Sequence, residues 1–116
     1  MNKKQALFAF NGDPICFVHV LLNTLDLHAK GFDVKLIIEG SATKLIAQYA
    51  SGEAPFKNFY DECLDKGLID CVCRACTSKM GSLEAAEQGG LPVCGDMSGH
   101  PSMAGYLESG YSIITF

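Results

Sequence analysis

The chain alternates short apolar runs with segments of helical period, and glycine or proline marks most of the joins. That rhythm restricts the fold more than any other feature. Lys4 to Phe10 is a short apolar run ended by Asn11-Gly12 and reads as a strand. Asp13-Pro14 then supplies an N-cap and a proline in the first helical position. Ile15, Val18, Leu21, Leu22 and Leu25 follow at helical spacing. Gly31 sits where a left-handed C-cap belongs, which predicts a first helix over Pro14 to Lys30. Val34 to Ile38 is nearly continuous apolar sequence, as expected of a strand covered on both faces in a parallel sheet.

The same pattern continues downstream. Gly40-Ser41 opens a helix with an inward stripe of Ala42, Leu45, Ile46, Tyr49 and Ala50. Pro55 opens another, carrying Phe56, Phe59, Tyr60, Cys63 and Leu64 before Gly67 ends it. Leu68 to Cys73 reads as a third strand that runs straight into a helix at Arg74 to Met80. A short helical piece at Ser82 to Gln88, a brief strand at Leu91 to Cys94 and a loop at Gly95 to His100 follow. Pro101 to Glu108 is expected as a helix and Tyr111 to Phe116 as the last strand. With 116 residues and no linker or repeat, residues 1–116 form one domain. Strands alternating with helices at these lengths imply right-handed crossovers. The expected fold is therefore α/β, a mainly parallel five-stranded sheet with helices on both faces, a three-layer arrangement of flavodoxin or Rossmann type. Ligand sites in such sheets lie beyond the carboxyl ends of the strands. Asn11 to Pro14, Glu39 to Ser41, Cys73 to Cys76 and Cys94 to His100 are expected to meet there.

Charge argues against two partner classes. Thirteen acidic against nine basic residues give a net charge of −4, and the basic residues are scattered. Nothing in that balance attracts nucleic acid or an anionic membrane surface. Lys3-Lys4 precede an apolar run that Asn11 to Pro14 interrupt too early for an export signal, and no stretch has the length of a membrane helix. The expected location is the cytoplasm, where thiols stay reduced.

Six cysteines then require an account: Cys16, Cys63, Cys71, Cys73, Cys76 and Cys94. Cys73 falls at a strand-to-helix junction, where free backbone N–H groups and Arg74 would favour the nucleophilic thiolate. On that reasoning its pKa falls below the free value. The bland reading makes it a small hydrophobe ending a strand. Cys73-Arg74-Ala75-Cys76 is a CxxC, which allows either a dithiol couple or a packing role for Cys76. Cys71, Cys73, Cys76, Cys94 and His100 suffice in number for zinc, but only one CxxC is present, and no metal ligand or other cofactor is assigned. His100 either pairs with a thiolate, guides substrate or caps the last helix. Asn11 and Gly12 line a pocket or simply make a turn. The candidate site is Cys73 and Cys76 as catalytic thiols, with Asn11, Gly12, Arg74 and His100 binding substrate.

The segment Ile69 to Cys76, then Gly-His-Pro-Ser-Met at Gly99 to Met103 and Gly-Tyr-Ser-Ile-Ile-Thr-Phe at Gly110 to Phe116, resembles the DsrE/DsrF-like family across nearly the whole chain. The resemblance implies a small sulfurtransferase-like protein that assembles into homo-oligomers. It implies a persulfide on the cysteine ending this strand, matched by Cys73, passed between donor and acceptor proteins. Cys76 departs from the tRNA-thiolating members, which carry a non-thiol residue there. Two functions follow as expectations: a sulfur carrier with Cys76 as resolving thiol, or a non-catalytic oligomeric module whose cysteines bind a metal or pack. Apolar surplus on Phe17, Leu45, Ile46, Tyr49, Phe56, Phe59 and Tyr60 is expected to form the interface of a homo-oligomer, most simply a trimer.

Overall fold

A computed structural model describes all of residues 1–116. Five strands form one sheet: β1 (Lys4–Ala9), β2 (Asp33–Ile38), β3 (Ile69–Cys73), β4 (Val93–Cys94) and β5 (Ser112–Thr115). Their order is β4-β3-β2-β1-β5, and every neighbouring pair is parallel. Six helices connect them: α1 (Pro14–Ala29), α2 (Lys44–Ala50), α3 (Lys57–Asp65), α4 (Arg74–Lys79), α5 (Leu83–Gln88) and α6 (Met103–Glu108). A 3₁₀ turn, Gly40–Thr43, precedes α2.

The strand order dictates where the helices lie. From β1 to β4 the chain steps across the sheet in one direction, so crossovers of one hand stack on one face. The return from β4 to β5 runs the opposite way, and the same hand sends α6 to the other face. The core divides accordingly. Leu7, Ala9, Leu36, Ile38 and Val72 meet Phe17, Val20 and Leu21 of α1, Leu45, Ile46 and Tyr49 of α2, and Tyr60 and Cys63 of α3. On the second face, Ala6, Phe8, Ile37, Cys71 and Tyr111 form a smaller cluster against Met103 and Tyr106 of α6.

Local chemistry explains the element starts. Asp13 Oδ1 accepts the Ile15 N–H at 2.9 Å, and Pro14 opens α1. The helix expected from Pro55 begins instead at Lys57, because Phe56 adopts a left-handed conformation (φ 67°) that ends the preceding turn. The inward face of α1 also differs from expectation. Ile15 and Leu22 are exposed, whereas Phe17, Val18, Val20, Leu21 and Thr24 are buried.

Most of the rings expected at an oligomer interface instead pack inside the chain. Phe17, Leu45, Ile46, Tyr49 and Tyr60 are buried within the single chain, and Phe56 and Phe59 are half-buried. Tyr49 and Tyr60 stack at 4.4 Å between ring centroids, and Phe17 lies 6.1 Å from Tyr49. Such pairs add about 0.5–1.5 kcal/mol each beyond their burial. These rings are therefore packed against one another within the helical layer of the single chain. No helix is long and apolar enough to cross a membrane.

Candidate functional site

The carboxyl ends of β2 and β3 and the loop after β4 bring four functional side chains together. Cys73 ends β3 and is the N-cap of α4; its Sγ accepts the Cys76 N–H at 3.4 Å. Thr77 fastens the turn beneath it, donating its hydroxyl to the Cys73 carbonyl at 2.7 Å. The helical turn that makes this cap also places Cys76 Sγ beside Cys73.

His100 arrives from the far side of the sequence on the Gly95–His100 loop. The Ala75 N–H donates to the Gly99 carbonyl at 2.9 Å, and Met97 and His100 exchange two backbone hydrogen bonds. Gly99 has φ +93°, and a Cβ there would stand 3.2 Å from the Ala75 Cβ. Only glycine lets the loop approach α4 this closely without strain. The result sets His100 Nδ1 3.1 Å from Cys73 Sγ and 3.8 Å from Cys76 Sγ. Cys73 Sγ also lies 3.6 Å from the Gly99 carbonyl oxygen.

Glu39, the residue after β2, completes the cluster. Its Oε1 is 3.9 Å from His100 Nδ1, its side chain is only 9% exposed, and no protein group hydrogen-bonds the carboxylate, while its backbone N–H donates to the Ala9 carbonyl at 2.8 Å. Desolvation raises the Glu39 pKa, and the charge of His100 opposes that rise. Sequence reasoning placed the Glu39 segment at this edge but did not single out the residue. Its adjacency to a strand end was the available signal.

The expected thiolate at Cys73 is not the resting state. Cys73 is completely buried, and burial pushes its thiol up to about 12. The Cys76 N–H opposes this, while the Cys76 thiol and the Glu39 charge add to it. The helix that was to stabilise the anion has six residues and delivers one N–H to the sulfur. Desolvation outweighs that single dipole. Cys76 is half-exposed and forms the outer thiol of the pair.

The other expected binding residues lie elsewhere. Gly12 donates its N–H to Ser41 Oγ at 2.9 Å, and Asn11 Oδ1 accepts the Asp13 N–H at 2.9 Å. Both residues shape the β1–α1 turn and touch neither cysteine. Arg74 is exposed, and its aliphatic stem packs on Gly95, where a Cβ would meet it at 3.3 Å. It braces the loop rather than presenting charge to Cys73. Cys71 faces the second cluster, with its Sγ 3.5 Å from the Tyr106 hydroxyl. That hydroxyl donates to Asp70 Oδ2 at 2.5 Å and ties α6 to β3. The largest cavity, about 530 Å³, lies beside α6 and reaches Cys94 and Tyr106 but not Cys73 or Cys76.

Fold and site together define a small parallel α/β protein with a Cys-x-x-Cys pair and a histidine at the carboxyl edge of its sheet. The chain belongs to the family of the uncharacterized protein MJ0733 of Methanocaldococcus jannaschii, to which it is 35% identical over 97 residues, covering 84% of this chain and 77% of the relative. An uncharacterized Archaeoglobus fulgidus protein is 42% identical over 59 residues, which span 51% of this chain and 97% of that protein. A second from the same organism is 54% identical over 37 residues, 32% of this chain and all of that protein. No family model matches the chain, and no solved structure gives a significant match.

Proposed function

We propose that this protein carries sulfane sulfur as a persulfide on Cys73, with His100 as the proton acceptor and Cys76 as the resolving thiol. The observation that carries the reading is the 3.1 Å separation of Cys73 Sγ and His100 Nδ1. A nucleophile within about 2.6–3.2 Å of a base is the arrangement by which a neutral thiol is activated in place. The DsrE/DsrF-like resemblance and the position at the sheet's carboxyl edge support it as well.

The chemistry balances as follows. With its proton on Nε2, the imidazole accepts the Cys73 proton at Nδ1. The thiolate attacks the terminal sulfur of a donor persulfide, RS–SH. A Cys73 S–S bond forms, the donor S–S bond breaks, and RS⁻ leaves and takes up the proton. Discharge has two routes. An acceptor thiolate removes the terminal sulfur and restores Cys73. Alternatively, Cys76 attacks the inner sulfur, releasing sulfide and leaving a Cys73–Cys76 disulfide. In that route the dithiol is oxidised by two electrons and the sulfane sulfur is reduced by two. A cellular dithiol then returns the pair to the reduced state.

Incubation of the reduced protein with polysulfide, followed by peptide mass spectrometry, tests the reading. One added sulfur on Cys73 is expected. Cys73→Ser abolishes it, Cys76→Ser prolongs its lifetime, and His100→Ala slows its formation. Absence of the adduct, or an adduct on the exposed Cys16 alone, overturns the assignment.

A further inference from the structure

The same cluster has the composition and spacing of a cation site. Cys73 Sγ, Cys76 Sγ and His100 Nδ1 all lie within 4.8 Å of one another. With zinc–sulfur bonds of about 2.3 Å and zinc–nitrogen bonds of about 2.0–2.1 Å, a tetrahedral ion holds its sulfurs about 3.8 Å apart. The same geometry sets each sulfur about 3.6 Å from the nitrogen. The observed sulfur–nitrogen separations are 3.1 and 3.8 Å. Adjustments of up to about an ångström, chiefly in the spacing of the two sulfurs, bring these atoms onto one ion with the bond lengths above.

Glu39 points to the same conclusion independently. Its side chain is nine-tenths buried and no protein group donates to its carboxylate, so a cation beside it would supply the partner that the fold does not. It sits 3.9 Å from the imidazole nitrogen that faces both sulfurs. In a tetrahedral zinc site a carboxylate oxygen and an imidazole nitrogen are about 3.4 Å apart. Glu39 lies just outside the trio whose ligand atoms close on one another within 4.8 Å, so it reaches the fourth position by swinging toward the sulfurs. The Cys76 N–H, already directed at Cys73 Sγ, would stabilise the sulfur once it is metal-bound and anionic.

We propose that Cys73, Cys76, His100 and Glu39 form a binding site for a thiophilic divalent cation of the zinc class, and that its occupancy blocks sulfur loading at the same cysteines. Two thiolates and an imidazole select against magnesium and calcium, which take oxygen ligands. Two cysteines are too few for a four-thiolate iron–sulfur cluster. The ligands come from the ends of β2 and β3 and from the loop before α6, and Cys76 and His100 open to solvent for entry. Binding displaces the two thiol protons to solvent. The blocking half of the proposal rests on the sulfur-carrier reading, because both uses need the Cys73 lone pair.

Cobalt(II) is the probe. The full-length, reduced and chelator-treated protein is titrated with Co²⁺, and sulfur-to-cobalt charge-transfer absorbance is recorded. One equivalent is expected to produce the band, and Zn²⁺ is expected to displace it. Cys76→Ser and His100→Ala, at partly exposed positions that the core does not require, should each weaken binding about tenfold or more. Glu39→Gln, close in shape, should do the same while leaving both cysteines intact. A band that persists in all three variants places the metal elsewhere and overturns the site. Polysulfide loading of the Zn²⁺-bound protein should leave Cys73 unmodified, with loading restored by chelation. Failure to bind Co²⁺ while loading proceeds overturns the metal site alone. Metal binding without any loading, even after chelation, overturns the sulfur-carrier reading and leaves the site. Equal loading with and without Zn²⁺ overturns the block.

Discussion

Ionisation of Cys73 is the sharpest test of the site's electrostatics. The thiol is raised from an ordinary value of 9.0 to about 12, chiefly by burial. At pH 8 about one free thiol in ten is ionised, whereas in the folded site the fraction falls to about one in ten thousand. Thiolate-dependent alkylation of Cys73 should therefore be about a thousandfold slower than in the denatured chain at the same pH. The assay is alkylation with iodoacetamide over pH 7 to 10, read by peptide mass spectrometry, with the unfolded protein as reference. Shielding lowers the absolute rate at every pH, but the pH at which the curve levels reports ionisation alone. The native rate should climb about tenfold per pH unit without levelling in this range. A plateau at or below pH 8 would refute the reasoning and mean that Cys73 rests as a thiolate beside an imidazolium. The same shift has a linkage consequence. Because the folded pKa lies above the unfolded value, its contribution to stability is complete below pH 9 and is lost as pH rises toward 12. Cys63, also pushed up to about 12 by burial, acts in the same direction.

Two further predictions concern the frame that holds the site. Tyr49→Phe removes a buried hydroxyl that has no hydrogen-bond partner while preserving the stack on Tyr60. It should stabilise the fold by about 1 kcal/mol, a rise of about 4 °C in Tm by differential scanning calorimetry, and a loss of that size would mean the hydroxyl has a partner. At Gly12→Ala the new Cβ would stand 2.4 Å from the Ser41 carbonyl oxygen, so the turns after β1 and β2 must separate. A cost of about 1–3 kcal/mol in urea unfolding is expected, and an unchanged midpoint would show that the turns yield freely.

Sequence patterning revealed the order of elements because the signals were local. Pro14, Gly31, Gly67 and Gly110 mark joins that the structure retains, and Val34 to Ile38 carried the mark of a strand buried on both faces. The inward face of α1 was not legible, since Ile15, Phe17, Val18, Val20, Leu21 and Leu22 offer apolar groups on more than one side. Tertiary packing chose among them. The cysteine pair was legible because only two residues separate its members, which puts both on one helical turn. His100 was legible only as a candidate, since its approach depends on backbone bonds to Ala75 and on the conformation of Gly99. The Cys73 pKa was misjudged because a helix start is visible in sequence, whereas the completeness of a burial is a property of the whole fold.

The placement of α6 alone on its face has a consequence for access to the buried sulfur. No residue of α6 is buried, and β5 is half-buried at its start and exposed at its end. Elements with so little apolar cover belong to the low-free-energy end of local opening, below the unit built on α1, α2 and α3. Loosening of α6 and β5 together would free the downstream end of the loop that carries His100, leaving the Ala75–Gly99 backbone bond as its anchor. An opening of that kind would uncover Cys73 without unfolding the unit built on α1, α2 and α3. Amide exchange would register this gate in α6 and β5, far below the protection of β1 and β2, and a ligand bridging His100 to β3 would close it.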